Sequence, residues 1–177
     1  MESKFNKVKP EVLKQLEEIT GGKLSAGDKI NLDFKRDEMP IYGYGDPEVV
    51  IPVDSTELIS KIMKICNENK IPVIARGAGS GIVGSAVPIK GGVVLDMTEM
   101  DKILEYDFDN FVVVCEPGVL LDDLDSACRE HGFFYAPDPG QRLATVGGNV
   151  ATNAGGMRAV KYGTNRDYVR EREVVFA

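Results

Sequence analysis

Residues 74–84 read I-A-R-G-A-G-S-G-I-V-G and continue a short apolar run at 71–75, which predicts a strand that runs into a glycine-rich turn. Four of the eight positions from 77 to 84 are glycine, and glycine permits tight turns and close approach to the backbone. Successive exposed N–H groups in such a turn form a concave anion site, and Arg76 beside them adds a positive charge. The stretch therefore predicts a loop that binds a phosphate or diphosphate. A turn that only reverses the chain is the alternative, because glycine-rich loops are common.

A second glycine-rich stretch at 135–162 reads Y-A-P-D-P-G-Q-R-L-A-T-V-G-G-N-V-A-T-N-A-G-G-M-R-A-V-K-Y. Small side chains with donors and acceptors lie between its glycines, and few of them are charged. A ligand with a flat heteroaromatic ring and a sugar-phosphate tail needs this mixture of backbone amides and small polar groups. The alternative is a long, weakly structured loop, which compact domains rarely contain without a functional reason.

Together, R-G-A-G-S-G-I-V-G-S-A-V-P at 76–88 and P-D-P-G with A-T-V-G-G-N-V-A-T-N-A-G-G-M-R-A-V-K-Y-G at 137–163 carry a family resemblance. They resemble the FAD-binding domain of the vanillyl-alcohol oxidase/PCMH flavoprotein superfamily, and most closely its glycolate oxidase D subunit and D-lactate dehydrogenase branch. The resemblance runs from about Tyr42 to the last residue. The first loop is not the Rossmann fingerprint, because no acidic residue lies at the expected distance to hold a ribose.

The resemblance implies an FAD held by both stretches. The residues expected to bind it are Arg76, Gly77, Ala78, Gly79, Ser80, Gly81, Ser85, Pro137, Pro139, Gly140, Thr145, Gly147, Gly148, Asn149, Thr152, Asn153, Gly155, Gly156, Tyr162 and Gly163. Residues 77–81 would present amides to the diphosphate, 137–140 would shape the wall near the isoalloxazine, 145–153 would line the flavin, and 155–163 would close the pocket.

Several of these positions have a structural alternative. Arg76 either flanks the diphosphate or pairs with a structural carboxylate, and Ser85 either donates to a phosphate or is small for packing. Pro137, Pro139 and Gly140 can form a plain turn, and Tyr162 can be an ordinary core aromatic. Several relatives attach the flavin to a histidine in the first loop. Here the matching position is Ser80, so we expect non-covalent FAD.

Composition narrows the functional classes. The chain has 177 residues, 43% of them hydrophobic, which suffices for a sizeable core. With 21 basic and 28 acidic residues its net charge is −7, which disfavours nucleic-acid binding, since such affinity comes from clustered lysine and arginine. An anionic cofactor must therefore be held by backbone dipoles and a few local cations.

The three cysteines, Cys66, Cys115 and Cys128, have no C-x-x-C spacing. They are typical of reduced, mostly buried thiols in a cytoplasmic protein, and we expect no metal or iron–sulfur site. The first ten residues lack the apolar segment of a secretory signal, and no apolar run reaches membrane-spanning length.

Hydrophobic periodicity predicts the elements, and the resemblance implies an α+β fold of the PCMH type. A small, mainly parallel α/β lobe would place the first glycine loop at the carboxyl end of a strand, where ligands of such sheets usually bind. The predicted elements are a helix at 10–20, a strand at 49–53, a helix at 55–69, and strands at 71–75 and 92–97. An incomplete second lobe would follow, with a hairpin of strands at 103–107 and 111–116, a helix at 120–131 and a strand beginning within 168–177.

We expect three regions: an N-terminal helix and connector at 1–45, a first FAD-binding lobe at 46–97, and a truncated second lobe at 98–177. In the resembled family a substrate-binding cap domain follows, with the 2-hydroxy acid and metal sites. The only histidine, His131, is better placed to cap a helix than to act as a general base.

The leading functional hypothesis is the FAD-binding portion of a 2-hydroxyacid dehydrogenase or oxidase, with a substrate only in the complete enzyme. The alternative is an inactive flavin- or nucleotide-binding module that acts by association with another chain, and an incomplete lobe predicts self-association. A UDP-sugar reductase or cytokinin-oxidase type is less similar, because N-A-G-G-M-R-A-V-K-Y-G is closer to the hydroxyacid branch.

Overall fold

The computed structural model describes residues 4–39, 41 and 43–177. Residues 1–3, 40 and 42, which belong to the predicted N-terminal region and include the predicted start of the resemblance at Tyr42, lie outside the described residues. The chain divides into two compact units, one comprising the residues up to Glu99 with Val174–Ala177, the other Met100–Glu173.

The first unit begins with helix α1, Pro10–Thr20, as predicted. Pro10 suits the first helical position because its missing N–H has no partner there. Gly21 ends the helix in the left-handed conformation, with φ of 61°, which glycine adopts without steric cost. Val12 and Leu16 form the buried face, and α1 packs against helix α2, Thr56–Glu68. Ser55 is the N-cap of α2, but its side chain makes no capping bond and donates to Asp54 instead.

A four-stranded sheet forms the centre of this unit. Its strands are β1, Ser25–Ala26; β2, Val49–Pro52; β3, Val73–Arg76; and β4, Val93–Asp96. The spatial order is β1-β2-β4-β3, in which β4 is parallel to both β2 and β3 and only β1 is antiparallel. The prediction of a small, mainly parallel sheet is confirmed. The runs V-V-I and V-V-L of β2 and β4 are buried, as is typical of parallel strands.

Strand β3 starts two residues later than predicted. Ile71 donates its N–H to Cys66 O of the preceding helix, and Pro72 has no N–H to offer a ladder. Strand β1, which lies within the predicted connector, is only two residues long.

The second unit contains the predicted hairpin and helix. Strands β5, Ile103–Asp107, and β6, Val112–Cys115, pair in antiparallel fashion with an irregularity between Ile103 and Glu105. Helix α3, Leu121–Glu130, follows. A buried cluster of Val119, Leu124 and Cys128 packs against side chains of both strands.

The second glycine-rich stretch is ordered, so the alternative of a long, weakly structured loop is wrong. It contains the short helices α4, Val146–Thr152, and α5, Ala159–Tyr162, and is followed by a 3-10 helix, Asn165–Asp167.

The strand predicted to begin within 168–177 is not formed. Residues 168–177, all of which the structure describes, make no strand pairing. Val174 is 49% exposed and Phe176 is 84% exposed. A strand requires a hydrogen-bonded neighbour, and this β-branched run has none within the described part of the chain.

Candidate functional site

The first glycine loop, which we define as residues 77–85, follows β3 at the carboxyl end of the parallel sheet. The backbone N–H groups of residues 78–83 have no hydrogen-bond partner among the described residues. Gly77, Gly79, Ser80 and Gly81 are half-buried, whereas Ala78 and Ser85 are exposed. Adjacent unpaired amides attract an anion. The loop therefore offers adjacent backbone donors to an anion, and the binding of a diphosphate by residues 77–81 stays a prediction.

Arg76 lies behind this loop rather than on its surface. It is buried, its Nη1 donates to Arg36 O at 2.6 Å, and its guanidinium lies over the Phe34 ring at 5.4 Å. A Cβ added at Gly79, where φ is 72°, would be 1.9 Å from Arg76 Nη2. The guanidinium thus packs directly against the loop at Gly79, and a side chain at this position would have to displace it.

The charge of Arg76 is surrounded by carboxylates. Burial lowers the pKa of Arg76, and the fields of Asp33, Asp96, Asp37 and Glu38 oppose that shift. No ion pair joins Arg76 to a carboxylate among the described residues. The partner in the structure is a backbone carbonyl, which neither sequence-based alternative anticipated. A role beside the diphosphate stays a prediction.

The segment at 36–38 is hydrogen-bonded to the first glycine loop. Asp37 Oδ2 accepts the N–H of Gly84 at 2.7 Å, and Glu38 donates its N–H to Gly81 O at 3.0 Å. Asp37 is buried, and its Oδ1 accepts the N–H of Met39 at 2.9 Å. The local sequence indicates only a connector here, because the partners of this segment at Arg76, Gly81 and Gly84 lie 40 or more positions away.

The start of the second glycine segment, which we define as residues 135–163, is fixed to its own end. Asp138 forms a parallel bridge with Gly156, and Arg158 Nε lies 3.3 Å from Asp138 Oδ2. A Cβ at Gly156 would be 1.6 Å from Asp138 O, so Gly156 is required for this close approach. Pro137 and Pro139 flank this bridge and Gly140 follows it, and their contact with the isoalloxazine stays a prediction.

Two predicted flavin ligands, Thr145 and Asn149, are buried. Thr145 is the N-cap of α4, and its Oγ1 accepts the N–H of Gly148 at 3.4 Å. Asn149 Nδ2 donates to Thr145 O at 2.8 Å. A Cβ at Gly147 would be 2.6 Å from Pro117 Cβ. Thr145 and Asn149 therefore fix the backbone of the segment on its buried side, whereas Gly148 is exposed.

Thr152 and Asn153 lie at the exposed end of α4. Thr152 Oγ1 donates to Gly148 O at 3.0 Å, and Asn153 adopts a φ of 50° as the C-cap. Asn153 Oδ1 accepts the N–H of Arg166 at 2.9 Å. Both polar side chains thus already have protein partners.

Asn165, two residues beyond this segment, is a structural anchor that the sequence motifs do not include. It is fully buried, donates Nδ2 to Ala154 O at 2.6 Å and accepts the Tyr135 hydroxyl at 2.5 Å. Burial raises the pKa of Tyr135 to about 12, so its hydroxyl keeps the proton that it donates. In the sequence, the sign of this structural role is only that an asparagine lies two residues after the glycine-rich segment.

Tyr162 is half-buried rather than part of the core. Its hydroxyl accepts a hydrogen bond from Lys161 Nζ at 2.9 Å, which lowers the pKa of Tyr162. Gly155 is half-buried, and a Cβ at Gly163 would be 2.5 Å from Asp167 Oδ2. Gly163 therefore leaves room for the Asp167 side chain, which caps the 3-10 helix.

A buried carboxylate, Asp125 on α3, connects the helix to this segment. It accepts Arg129 Nε at 2.9 Å, Arg142 Nη2 at 3.1 Å and the N–H of Tyr135 at 3.0 Å. Burial acts to raise the pKa of Asp125, but the hydrogen bonds from Arg129 and Arg142 outweigh it and lower the pKa. Arg142 and Arg158, the nearby cations, are thus already paired with carboxylates. A cavity of about 10 Å³ beside them has room for about one water molecule.

The three cysteines and His131 take part in packing or helix capping. Cys66 and Cys128 are buried, and all three cysteines are free. Burial raises the pKa of the Cys66 thiol to about 11. His131 is the C-cap of α3, and its ring packs against that of Phe108 with the centroids 4.4 Å apart and the planes tilted by 36°. The described part of the chain contains no group of histidine, cysteine or carboxylate side chains suited to a metal ion. Among the described residues, no helix combines the length and apolarity needed to cross a membrane.

Comparison with known proteins gives a family match and several relatives, two of which follow. A family model for the FAD binding domain matches residues 47–177. The chain is 55% identical over 174 residues to a D-lactate dehydrogenase of Anaerostipes hadrus, a match that covers 98% of this chain and 37% of that protein. It is 41% identical over 147 residues to glycolate oxidase subunit GlcD of Bacillus subtilis, covering 82% of this chain and 31% of that protein.

Among solved structures, alkyldihydroxyacetonephosphate synthase has a TM-score of 0.79 at 20% identity, over 94% of this chain and 33% of that one. At this identity the likeness shows the fold alone, and it confirms the predicted fold class. The chain spans about a third of the length of the relatives that it matches.

Proposed function

The chain belongs to the FAD binding domain family, and from that premise we propose that it is the cofactor-binding portion of a flavin-dependent 2-hydroxyacid dehydrogenase or oxidase. Its cofactor is FAD, and glycolate or D-lactate is the proposed substrate type. The observation that carries the proposal is the row of backbone amides at 78–83, which lie at the carboxyl end of a parallel sheet and have no hydrogen-bond partner among the described residues.

The first glycine loop binds the diphosphate of FAD in this proposal. The chain carries a net charge of −7, so its overall field does not attract an anion. Binding must come from the local amides and from the buried guanidinium of Arg76, which packs behind Gly79. A buried positive charge is screened less than a surface one, so it favours an anion at the loop.

The second glycine segment positions the rest of the cofactor. Its exposed backbone at Gly148 and Gly140 can approach a flat ring closely, while Thr145 and Asn149 hold that backbone in shape. When bound, FAD supplies a hydride acceptor. The chain's own contribution is to bind and orient it, and the proposed substrate site belongs to the remaining two thirds of the relatives' length.

We expect the FAD to be non-covalent, because Ser80 occupies the position at which several relatives carry an attaching histidine. Acid precipitation of the loaded protein should leave all of the flavin in the supernatant. Flavin that stays in the protein pellet would contradict this assignment.

A measurement of activity tests the alternative hypothesis of an inactive module. The purified chain, supplied with FAD, is mixed with D-lactate or glycolate and an artificial electron acceptor. Turnover would refute the inactive module and show that this chain holds a complete site. Bound FAD without turnover is the expected result, since the chain spans only about a third of its relatives. Absence of FAD binding would refute the proposed function.

A cytoplasmic location is part of the proposal. Three unpaired cysteines are typical of a reducing compartment. Fractionation of cells that express the tagged protein would test the location, and recovery in a membrane or secreted fraction would contradict it.

A further inference from the structure

We propose that residues 36–38 form a clamp that fixes the first glycine loop in its phosphate-binding shape, with Asp37 as the positioning residue. The inference rests on the proposed function of the loop. The clamp precedes residues 47–177, which match the FAD binding domain family. A segment outside the family match therefore takes a role in cofactor binding.

The clamp contacts the loop region at three points. At the base, Arg76 Nη1 donates to Arg36 O at 2.6 Å. In the middle, Glu38 N–H donates to Gly81 O at 3.0 Å, and at the far end Asp37 Oδ2 accepts the Gly84 N–H at 2.7 Å. These bonds bracket the unpaired amides of residues 78–83 and leave them available. Gly84 is excluded from the diphosphate ligands, because its N–H is already donated to Asp37.

The clamp is itself anchored to the first unit. Gly45 donates its N–H to Lys35 O at 2.7 Å, and Lys35 Nζ contacts Asp46 Oδ1 at 2.8 Å. The Phe34 ring lies under the Arg76 guanidinium at 5.4 Å and packs on the core cluster that includes Val50 and Val94. The clamp therefore connects the loop to the centre of the sheet.

Asp37 has the chemistry that this position needs. A buried carboxylate must be compensated by hydrogen bonds and an opposite charge. Asp37 accepts two backbone N–H groups, at 2.7 and 2.9 Å, and lies in the field of the buried Arg76. Hydrogen bonds to a charged acceptor are stronger than those between neutral groups, so Asp37 holds Gly84 more firmly than a neutral side chain would.

The clamp affects cofactor binding through the fraction of molecules whose loop has the binding conformation. A loop with glycines at 77, 79, 81 and 84 has many accessible backbone conformations. If only a fraction of molecules has the binding conformation, the apparent Kd rises by the inverse of that fraction. Loss of the Asp37 bonds should therefore weaken FAD binding by about tenfold or more, the usual effect of losing a charged hydrogen bond.

The test compares Asp37→Ala with Glu38→Ala in the full 177-residue chain. Glu38 is the matched control because its exposed carboxylate has no hydrogen-bond or ion-pair partner in the described part of the chain, while its backbone bond to Gly81 is kept. Both variants remove one negative charge near Arg76. Asp37→Asn is a conservative third variant, since it retains one acceptor oxygen for Gly84.

Two readouts separate a positioning role from a general loss of stability. Hydrogen exchange without FAD should be faster in Asp37→Ala at the Gly84 N–H, the loop amide that donates to Asp37, and unchanged there in Glu38→Ala. In the presence of FAD, the ³¹P resonances of the bound diphosphate should shift in Asp37→Ala alone, and the Kd should rise about tenfold or more in that variant and less than about twofold in Glu38→Ala. Asp37→Asn should restore much of the affinity.

Unchanged exchange of the Gly84 N–H in Asp37→Ala would overturn the clamp. Equal loss of FAD affinity in Asp37→Ala and Glu38→Ala would also overturn it, because the effect would then be one of charge alone. The exchange measurement needs no cofactor, so it decides the clamp even if the wild-type chain binds no FAD. That last result would refute the proposed function instead.

Discussion

Individual residues determine whether the first glycine loop can form. Gly79 combines a φ of 72° with a position where a Cβ would be 1.9 Å from Arg76 Nη2. Gly81 has neither constraint, because no described heavy atom lies within 4 Å of its added Cβ and its φ is not in the left-handed region. Two glycines in the same motif therefore have different physical reasons to be glycine.

We predict that Gly79→Ala destabilises the chain by about 1–2 kcal/mol, the cost of a left-handed conformation for a residue with a Cβ, and that it weakens FAD binding by displacing the Arg76 guanidinium. Gly81→Ala should change the free energy of unfolding by less than about 0.5 kcal/mol. Urea unfolding of both variants tests this. An equal loss of stability in the two would show that Gly79 does not hold its left-handed conformation in solution.

At the scale of elements, the sequence predicted those with strong hydrophobic periodicity. Helix α1 has the predicted bounds, and β2, β4 and α3 differ by a residue or two. The strand expected to begin within 168–177 did not form, because β-branched composition cannot supply a neighbouring strand. The clamp at 36–38 and the buried Asn165 were missed because each depends on contacts between distant residues. The two glycine-rich stretches themselves were evident, since their composition is unusual at the level of sequence alone.

Asp125 links α3 to the second glycine segment and gives this contact a pH dependence. Its folded-state pKa is lowered, so its stabilising contribution is present above the unfolded pKa of about 3.9 and is lost as the pH falls through the folded value. Asp125→Asn should cost about 1–3 kcal/mol at pH 7 and should reduce the fall in stability from about pH 5 downward. Asp123→Asn, on the exposed side of the same helix, is the control. A wild-type acid profile in Asp125→Asn would contradict the network.

At the scale of the whole molecule, apolar side chains remain uncovered in the second glycine segment. Leu143 is 61% exposed, Met157 is 84% exposed, and Val160 is fully exposed. Exposed apolar groups of this kind favour association. We predict that light scattering will show self-association that increases with concentration, and that Met157→Ser with Val160→Ser will reduce it. A wild-type chain that stays monomeric at all concentrations would argue against this prediction.

The central claim is that this chain alone binds FAD through its glycine-rich stretches. The most direct measurement is the visible absorption spectrum of the purified chain, recorded before and after addition of FAD and removal of the excess by desalting. We predict that flavin absorption bands remain with the protein and are lost in Gly79→Ala. A colourless, folded protein after desalting would contradict the claim.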